Sequence, residues 1–316
     1  MSAPGTEHVR WLADPVLRRP TVVAAFTGWN DAGDAASNAI RHLVEQWGAA
    51  PLAEIDPEEF TDFATVRPHV RLVDGVTRTI VWPTVGVWSA STPGGDVVLV
   101  LGPEPALRWR RFSEQIVGIA RRYESAMVLT LGALLADVPH TRPVQIIGTA
   151  TDTDVIDRFD LQRSRYEGPT GIVGVLHDAC GRFGLSSASL WGAVPAYAAQ
   201  VPSPKATRAL IERACSMLGT PAPDGRLGLD AYEYEARVSA MVNDDDELVG
   251  YVRRLESAAD DGDHFGGFDL DDDDEDDDDE TVGGEYAADD GALDGDLDGD
   301  ELMAEVEQFL REQPDN

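Results

Sequence analysis

The chain has 316 residues, with 58 acidic and 25 basic side chains and a formal net charge of −33. That balance argues against a nucleic-acid partner, whose phosphates would repel it. No run approaches the roughly 18–20 apolar residues of a membrane span, and the first ten residues are polar with no apolar signal core behind them. A cytoplasmic protein is expected, with Cys180 and Cys215 reduced and packed as small hydrophobes.

The charge is uneven. Residues 260–316 hold 26 acidic side chains and one basic one, a net −25, which leaves −8 for residues 1–259. A body of that size buries about 70–75% of the surface its unfolded chain exposes.

In chain order, residues 1–15 read as a flexible lead-in and 16–256 as one α/β domain. Residues 21–27 are apolar and partly β-branched, a buried strand ended by Gly28. Residues 34–47 carry Ala35, Ala36, Ala39, Ile40, Leu43, Val44 and Trp47 at helical spacing. Asp31 or Asp34 can cap that helix, since a carboxylate there meets free N–H groups and the positive end of the dipole. Further strands are predicted at 49–55, 77–82, 96–101, 125–131, 144–149 and 188–191, and helices at 107–123, 172–183 and 206–218. Such alternation predicts a mostly parallel twisted sheet flanked by helices. Residues 56–95 interrupt it and read as a β-hairpin insertion that includes 78–82 and 85–89. Residues 229–256 turn helical, with a break at Asn243-Asp244-Asp245-Asp246.

Residues 257–299 read as a disordered acidic linker, since ten consecutive acidic residues at 271–280 repel one another and have nothing to bury. At 300–312, Leu302, Val306, Phe309 and Leu310 recur as one face of a short amphipathic helix, which predicts docking. Asp294, Asp296, Asp298 and Glu305 fit a calcium-loop pattern, D-x-D-x-D-G-x5-E. Glu301 stands where that loop carries an aliphatic residue, and Asp/Gly-rich sequence produces the pattern by chance.

Three stretches hold candidate site residues. Trp29, Asn30, Asp31 and Asp34 lie where a strand runs into a helix, the place where open α/β sheets form ligand crevices. The alternative is structural: a cap, turn glycines and a surface tryptophan. Gly168, Thr170 and Gly171 precede the helix at 172 and could hold an anion, or simply cap it. No Gly-Lys-Ser/Thr follows, so this is no Walker loop, and no cofactor signature is present. Asp137, His140 and Arg142 follow a buried strand and could meet near Asn30 and Asp31, where such a cluster could shift a pKa; the alternative is a hydrogen-bonded structural pair at the sheet end. Arg108, Arg110, Arg111, Arg121 and Arg122 read as a solvated helix face.

The loop from Gly28 to Ser37, GWNDAGDAAS, resembles the opening loop of the proteasome assembly chaperone family, in its bacterial and archaeal branch. The Gly-Pro-Thr-Gly turn at 168–171, the blocks at 189–195 and 204–211, and the helix at 246–256 are similar to later parts of that family. The resemblance implies a core like that of nucleoside phosphorylases and peptidyl hydrolases. It also implies an assembly-chaperone-like role, protein partners such as proteasome subunits, and a homo-oligomer. A further reading is a homo-oligomeric scaffold with Trp29 and Trp88, expected to be exposed, in subunit interfaces. Members that bind proteasomes often end in a hydrophobic-tyrosine-any tripeptide. Here Pro314-Asp315-Asn316 stands instead, so the face of Leu302, Val306, Phe309 and Leu310 could be a different docking element, or could equally fold back on the body as an autoinhibitory strap. The alternative function is a small-molecule binder, or a hydrolase- or phosphorylase-like enzyme, using the crevice.

Overall fold

A computed structural model of the protein describes residues 5–261. The calcium-loop match, the acidic linker and the helix with Leu302, Val306, Phe309 and Leu310 lie outside the described residues.

The fold is α/β. Ten strands are present among the described residues: β1 (Val9–Trp11), β2 (Thr21–Thr27), β3 (Ala50–Ile55), β4 (His69–Val73), β5 (Thr77–Val81), β6 (Val85–Thr92), β7 (Gly95–Pro103), β8 (Met127–Ala136), β9 (Ile146–Ala150) and β10 (Ser187–Pro195). The helices are α1 (Ala35–Gln46), α2 (Trp109–Arg122), α3 (Thr153–Phe159), α4 (Ile172–Arg182), α5 (Pro204–Leu218), α6 (Leu227–Asn243) and α7 (Asp246–Asp260).

Eight strands form one sheet in the order β1-β3-β6-β7-β2-β8-β10-β9. The central four, β7, β2, β8 and β10, pair in parallel. The outer pairings are antiparallel, which turns β3 back into the common direction and leaves β1, β6 and β9 opposed to it. β2 shows why the centre reads as a continuous apolar run: both of its faces are covered. Val22, Ala24 and Phe26 pack with α2 and α4, while Val23 and Ala25 pack with α1 and α5. Burying Val22, Val23 or Phe26 in this way contributes about 1.5–3 kcal/mol each.

Several expectations are refined. Residues 9–11, inside the expected lead-in, form β1 against β3, because Val9 and Trp11 find apolar neighbours there. The hairpin is β4–β5, whereas residues 85–89 belong to β6 in the main sheet, where Val85 and Val87 are core. α3 was not foreseen. It has seven residues, too short for an apolar period, and starts where Asp152 accepts from the Asp154 N–H at 3.0 Å. The break between α6 and α7 falls as expected, with Asp245 capping Glu247 and Leu248 at 2.9 and 3.2 Å. Cys180 and Cys215 are free and buried, and burial pushes their thiols up to about 12 and about 11.

Candidate functional site

The parallel strands deliver β2, β7 and β8 to one edge of the sheet, and three chain segments converge there. The first is the loop after β2. Of the two candidate caps, Asp31 holds α1: its Oδ1 accepts from the N–H of Ala36 at 2.8 Å and of Ser37 at 3.0 Å. A carboxylate five residues ahead of its targets reaches them because residues 32–34 form a tight 3-10 turn, with Gly33 at φ 56° and Asp34 at φ 51°. Asp34 makes no capping bond. Ser203 N and Val194 crowd the place a Gly33 side chain would take.

The second segment is the end of β7, where Glu104 joins what the sequence kept apart. Its Oε1 accepts from Asn30 Nδ2 at 2.8 Å and from the Ile172 N–H at 2.8 Å. Glu104 is therefore the cap of α4, in place of Thr170, and it ties the β2 loop to the third segment, the Gly168–Gly171 turn. Gly171 is needed there, because a side chain would be driven into the Asn30 carboxamide. With a carboxylate already on its first N–H, this helix end holds no second anion at that position.

A crevice of about 1380 Å³ opens beside this junction. Trp29, Asn30, Asp31 and Asp34 line it, as do Thr170, Gly171, Leu135, Trp191, Arg163 and Arg165. Trp29 is 67% exposed. Asn30 Oδ1 and Asp31 Oδ2 are enclosed acceptors with no partner, and desolvation raises the Asp31 carboxyl above its ordinary range against the hydrogen bonds that lower it. His177 also lines the crevice, with both ring nitrogens engaged: Nε2 with Thr130 Oγ1 at 2.9 Å and Nδ1 with Ser187 Oγ at 2.8 Å. Burial lowers its pKa to about 4, so it is neutral at pH 7. Ser187 is buried and does not line the crevice, so this Ser–His pair joins α4 to β10 and presents no nucleophile. No cluster of metal-ligating side chains occurs among the described residues.

Asp137, His140 and Arg142 do not join the crevice. Beyond β8 the chain turns toward the C-terminal helices, and these residues fasten them. Asp137 accepts from Tyr251 OH at 2.6 Å. His140 meets Tyr197 OH through Nδ1 at 2.8 Å and Ser239 Oγ through Nε2 at 2.9 Å. Arg142 pairs with Asp260 through two nitrogens at 2.7 and 2.6 Å. The space beside His140 is about 10 Å³, room for about one water and for no ligand. The exposed arginines of α2 are solvated as expected, with Arg108 and Arg122 paired to Glu59 and Asp14. Trp88 is not a free surface ring: it lies over Gly86 and packs on the core.

The sequence profile of the PAC2 family matches residues 25–242, a span from inside β2 to the end of α6 that holds every element of the crevice. The chain belongs to the PAC2 family. Among solved structures, a PAC2 family protein from Streptomyces avermitilis is 42% identical, over 74% of this chain and 99% of that one, with a TM-score of 0.69. A proteasome-assembly chaperone homologue from Mycobacterium tuberculosis is 44% identical, over 73% and 99%, with a TM-score of 0.67. An archaeal proteasome activator from Pyrococcus furiosus shares the fold at 15% identity, over 74% and 97%, with a TM-score of 0.61. No curated protein matches the chain. No helix among the described residues of this PAC2 chain is long and apolar enough to cross a membrane.

Proposed function

We propose that this PAC2 chain is an assembly-chaperone-like protein-interaction protein, acting on a proteasome or another ring complex and working as a homo-oligomer. The observation that carries the reading is the β4–β5 hairpin. All ten of its residues are exposed, yet Val70, Leu72, Val73, Ile80 and Val81 are among them, with Val76 in the turn at 81% exposure. The register sets Val70 opposite Ile80. Val70, Leu72 and Ile80 share one face, with Val73 and Val81 on the other. A lone two-stranded hairpin is marginal in water, and neighbouring exposed apolar side chains mark an interaction surface. Phe63 against Trp82, with ring centroids 5.1 Å apart, anchors only the base. The likeness to the mycobacterial chaperone homologue supports the same reading.

Affinity capture from native lysate tests it, with the full chain, a Val70→Asp/Ile80→Asp variant and a chain ending at residue 261. Stoichiometric ring-complex subunits on the full chain and their loss on the hairpin variant are expected. Loss on the shortened chain would add the face of Leu302, Val306, Phe309 and Leu310 to the contact. No stoichiometric partner on the full chain would sink the proposal.

One observation favours a second reading, a small-molecule binder or a hydrolase- or phosphorylase-like enzyme. The crevice lies at the carboxyl edge of the parallel strands, where such sheets bind ligands. A thermal-shift series with nucleosides and inorganic phosphate tests this. A ligand at 100 times its Kd adds about 2.7 kcal/mol, and Trp29→Ala is expected to reduce that gain.

A further inference from the structure

The crevice has a charge pattern that the hairpin does not explain. At one end lie Asn30 Oδ1 and Asp31 Oδ2, acceptors without partners, with Asp34 beside them. At the other lie Arg163 and Arg165, both exposed, and neither takes part in an ion pair among the described residues. Between the ends Leu135 and Trp191 supply apolar surface, beside Thr149, His177 and Ser189.

The sheet order gives the span. The loop carrying Asn30 and Asp31 follows β2, and the segment with Arg163 and Arg165 begins where Gln162 bridges Thr149 on β9. β2 and β9 are three strand positions apart, which is about 14 Å, or about four extended residues. A volume of about 1380 Å³ exceeds the roughly 300–1000 Å³ of ordinary small-ligand sites. A single phosphate satisfies the arginines and leaves the acceptors unpaired. An amine does the reverse.

We propose that the crevice binds an extended peptide segment of a partner protein, acidic where it meets Arg163 and Arg165, apolar in its middle, and offering N–H donors to Asn30 and Asp31. Carboxylates match the planar guanidinium forks in a bidentate manner. Backbone N–H groups of the same peptide supply the missing donors, and Leu135 and Trp191 cover its apolar side chains. This rests on the interaction reading above and names the partner chemistry of a second contact.

A random nonapeptide phage library panned on the immobilised full chain tests it directly. Enriched peptides are expected to combine Asp or Glu with Leu, Ile or an aromatic residue. The best of them, made synthetically and labelled, is expected to bind about tenfold or more weakly to an Arg163→Ala/Arg165→Ala variant. Both arginines are exposed, so that variant folds; a Leu135→Glu variant gives an independent readout of the apolar surface. Peptides without acidic residues, or equal binding to both variants and the parent, would overturn the proposal, as would enrichment of none. Lysate capture separates the two claims. If the arginine variant still captures the partner and the hairpin variant does not, this proposal falls while the interaction reading stands. If the full chain captures nothing, the interaction reading itself falls.

Discussion

Asp31 shows how far one side chain decides the site. Its Oδ1 caps α1 through two N–H groups, while its Oδ2 is enclosed without a partner. Asp31→Ala is expected to cost about 1–2 kcal/mol in urea unfolding, the loss of a buried cap. Asp31→Asn keeps an acceptor in place and is expected to retain most of that stability. Burial raises this carboxyl in the folded state. Its contribution is therefore largest at low pH and is lost as pH rises through the folded pKa, so the Asn variant compares best with the parent near neutrality. An Asn variant as unstable as the Ala variant at pH 7 would show that the charge, not the acceptor, holds the helix. Glu104 is the second such residue. Glu104→Ala leaves Asn30 Nδ2 and the Ile172 N–H without their partner, for an expected loss of about 2–4 kcal/mol, measured the same way. Asp31 was legible because a carboxylate at a strand-to-helix turn is a local signal. Glu104 was not, because the helix it caps begins 68 residues later.

At the scale of elements, long periodic segments were legible and tertiary choices were not. The apolar spacing of α1 and α2 and the Ser203–Pro204 start and Gly219 end of α5 are written locally. The antiparallel setting of β9 and the pairing of β1 depend on partners far along the chain. So does the placement of His140, where sequence proximity to a strand end suggested the crevice. The structure instead makes that stretch a clasp for α6 and α7, in which Tyr197 OH serves both the backbone N–H and Nδ1 of His140, at 2.7 and 2.8 Å. Lys205 adds to it by bonding His140 O and Glu235. Tyr197→Phe removes the shared hydroxyl and is expected to destabilise the fold by about 1–3 kcal/mol. Hydrogen exchange should rise first in α6 and α7, which pack through a small cluster of their own around Tyr234, Val238 and Val252. Uniform loss of protection across the sheet would contradict a local clasp.

The whole molecule joins these elements through buried neutral histidines, and that sets its response to acid. His177 ties α4 to β8 and β10 with no charged group among the causes of its shift, and desolvation alone lowers its pKa from 6.5 to about 4. His140 is lowered chiefly by burial, with Glu235 and Glu256 opposing and Lys205 assisting. In both cases the unfolded chain takes up a proton at a higher pH than the folded one. The stabilisation is complete above pH 6.5 and is lost as pH falls toward the folded value. For His177 the window runs from 6.5 to about 4 and is worth up to about 3 kcal/mol. His177→Gln cannot titrate. Its stability deficit relative to the parent is expected to be greatest at pH 7 and to shrink through that window, because only the parent pays the protonation cost. Carboxylates titrate near the lower end in both proteins and cancel in the difference. A deficit that stays constant from pH 7 to pH 4 would mean that His177 takes up its proton without disturbing the fold. The proton is costly because the ring is buried: it turns the accepting nitrogen into a second donor, the hydroxyl that donated to it, on Thr130 or Ser187, must turn to accept, and the new charge stays out of water.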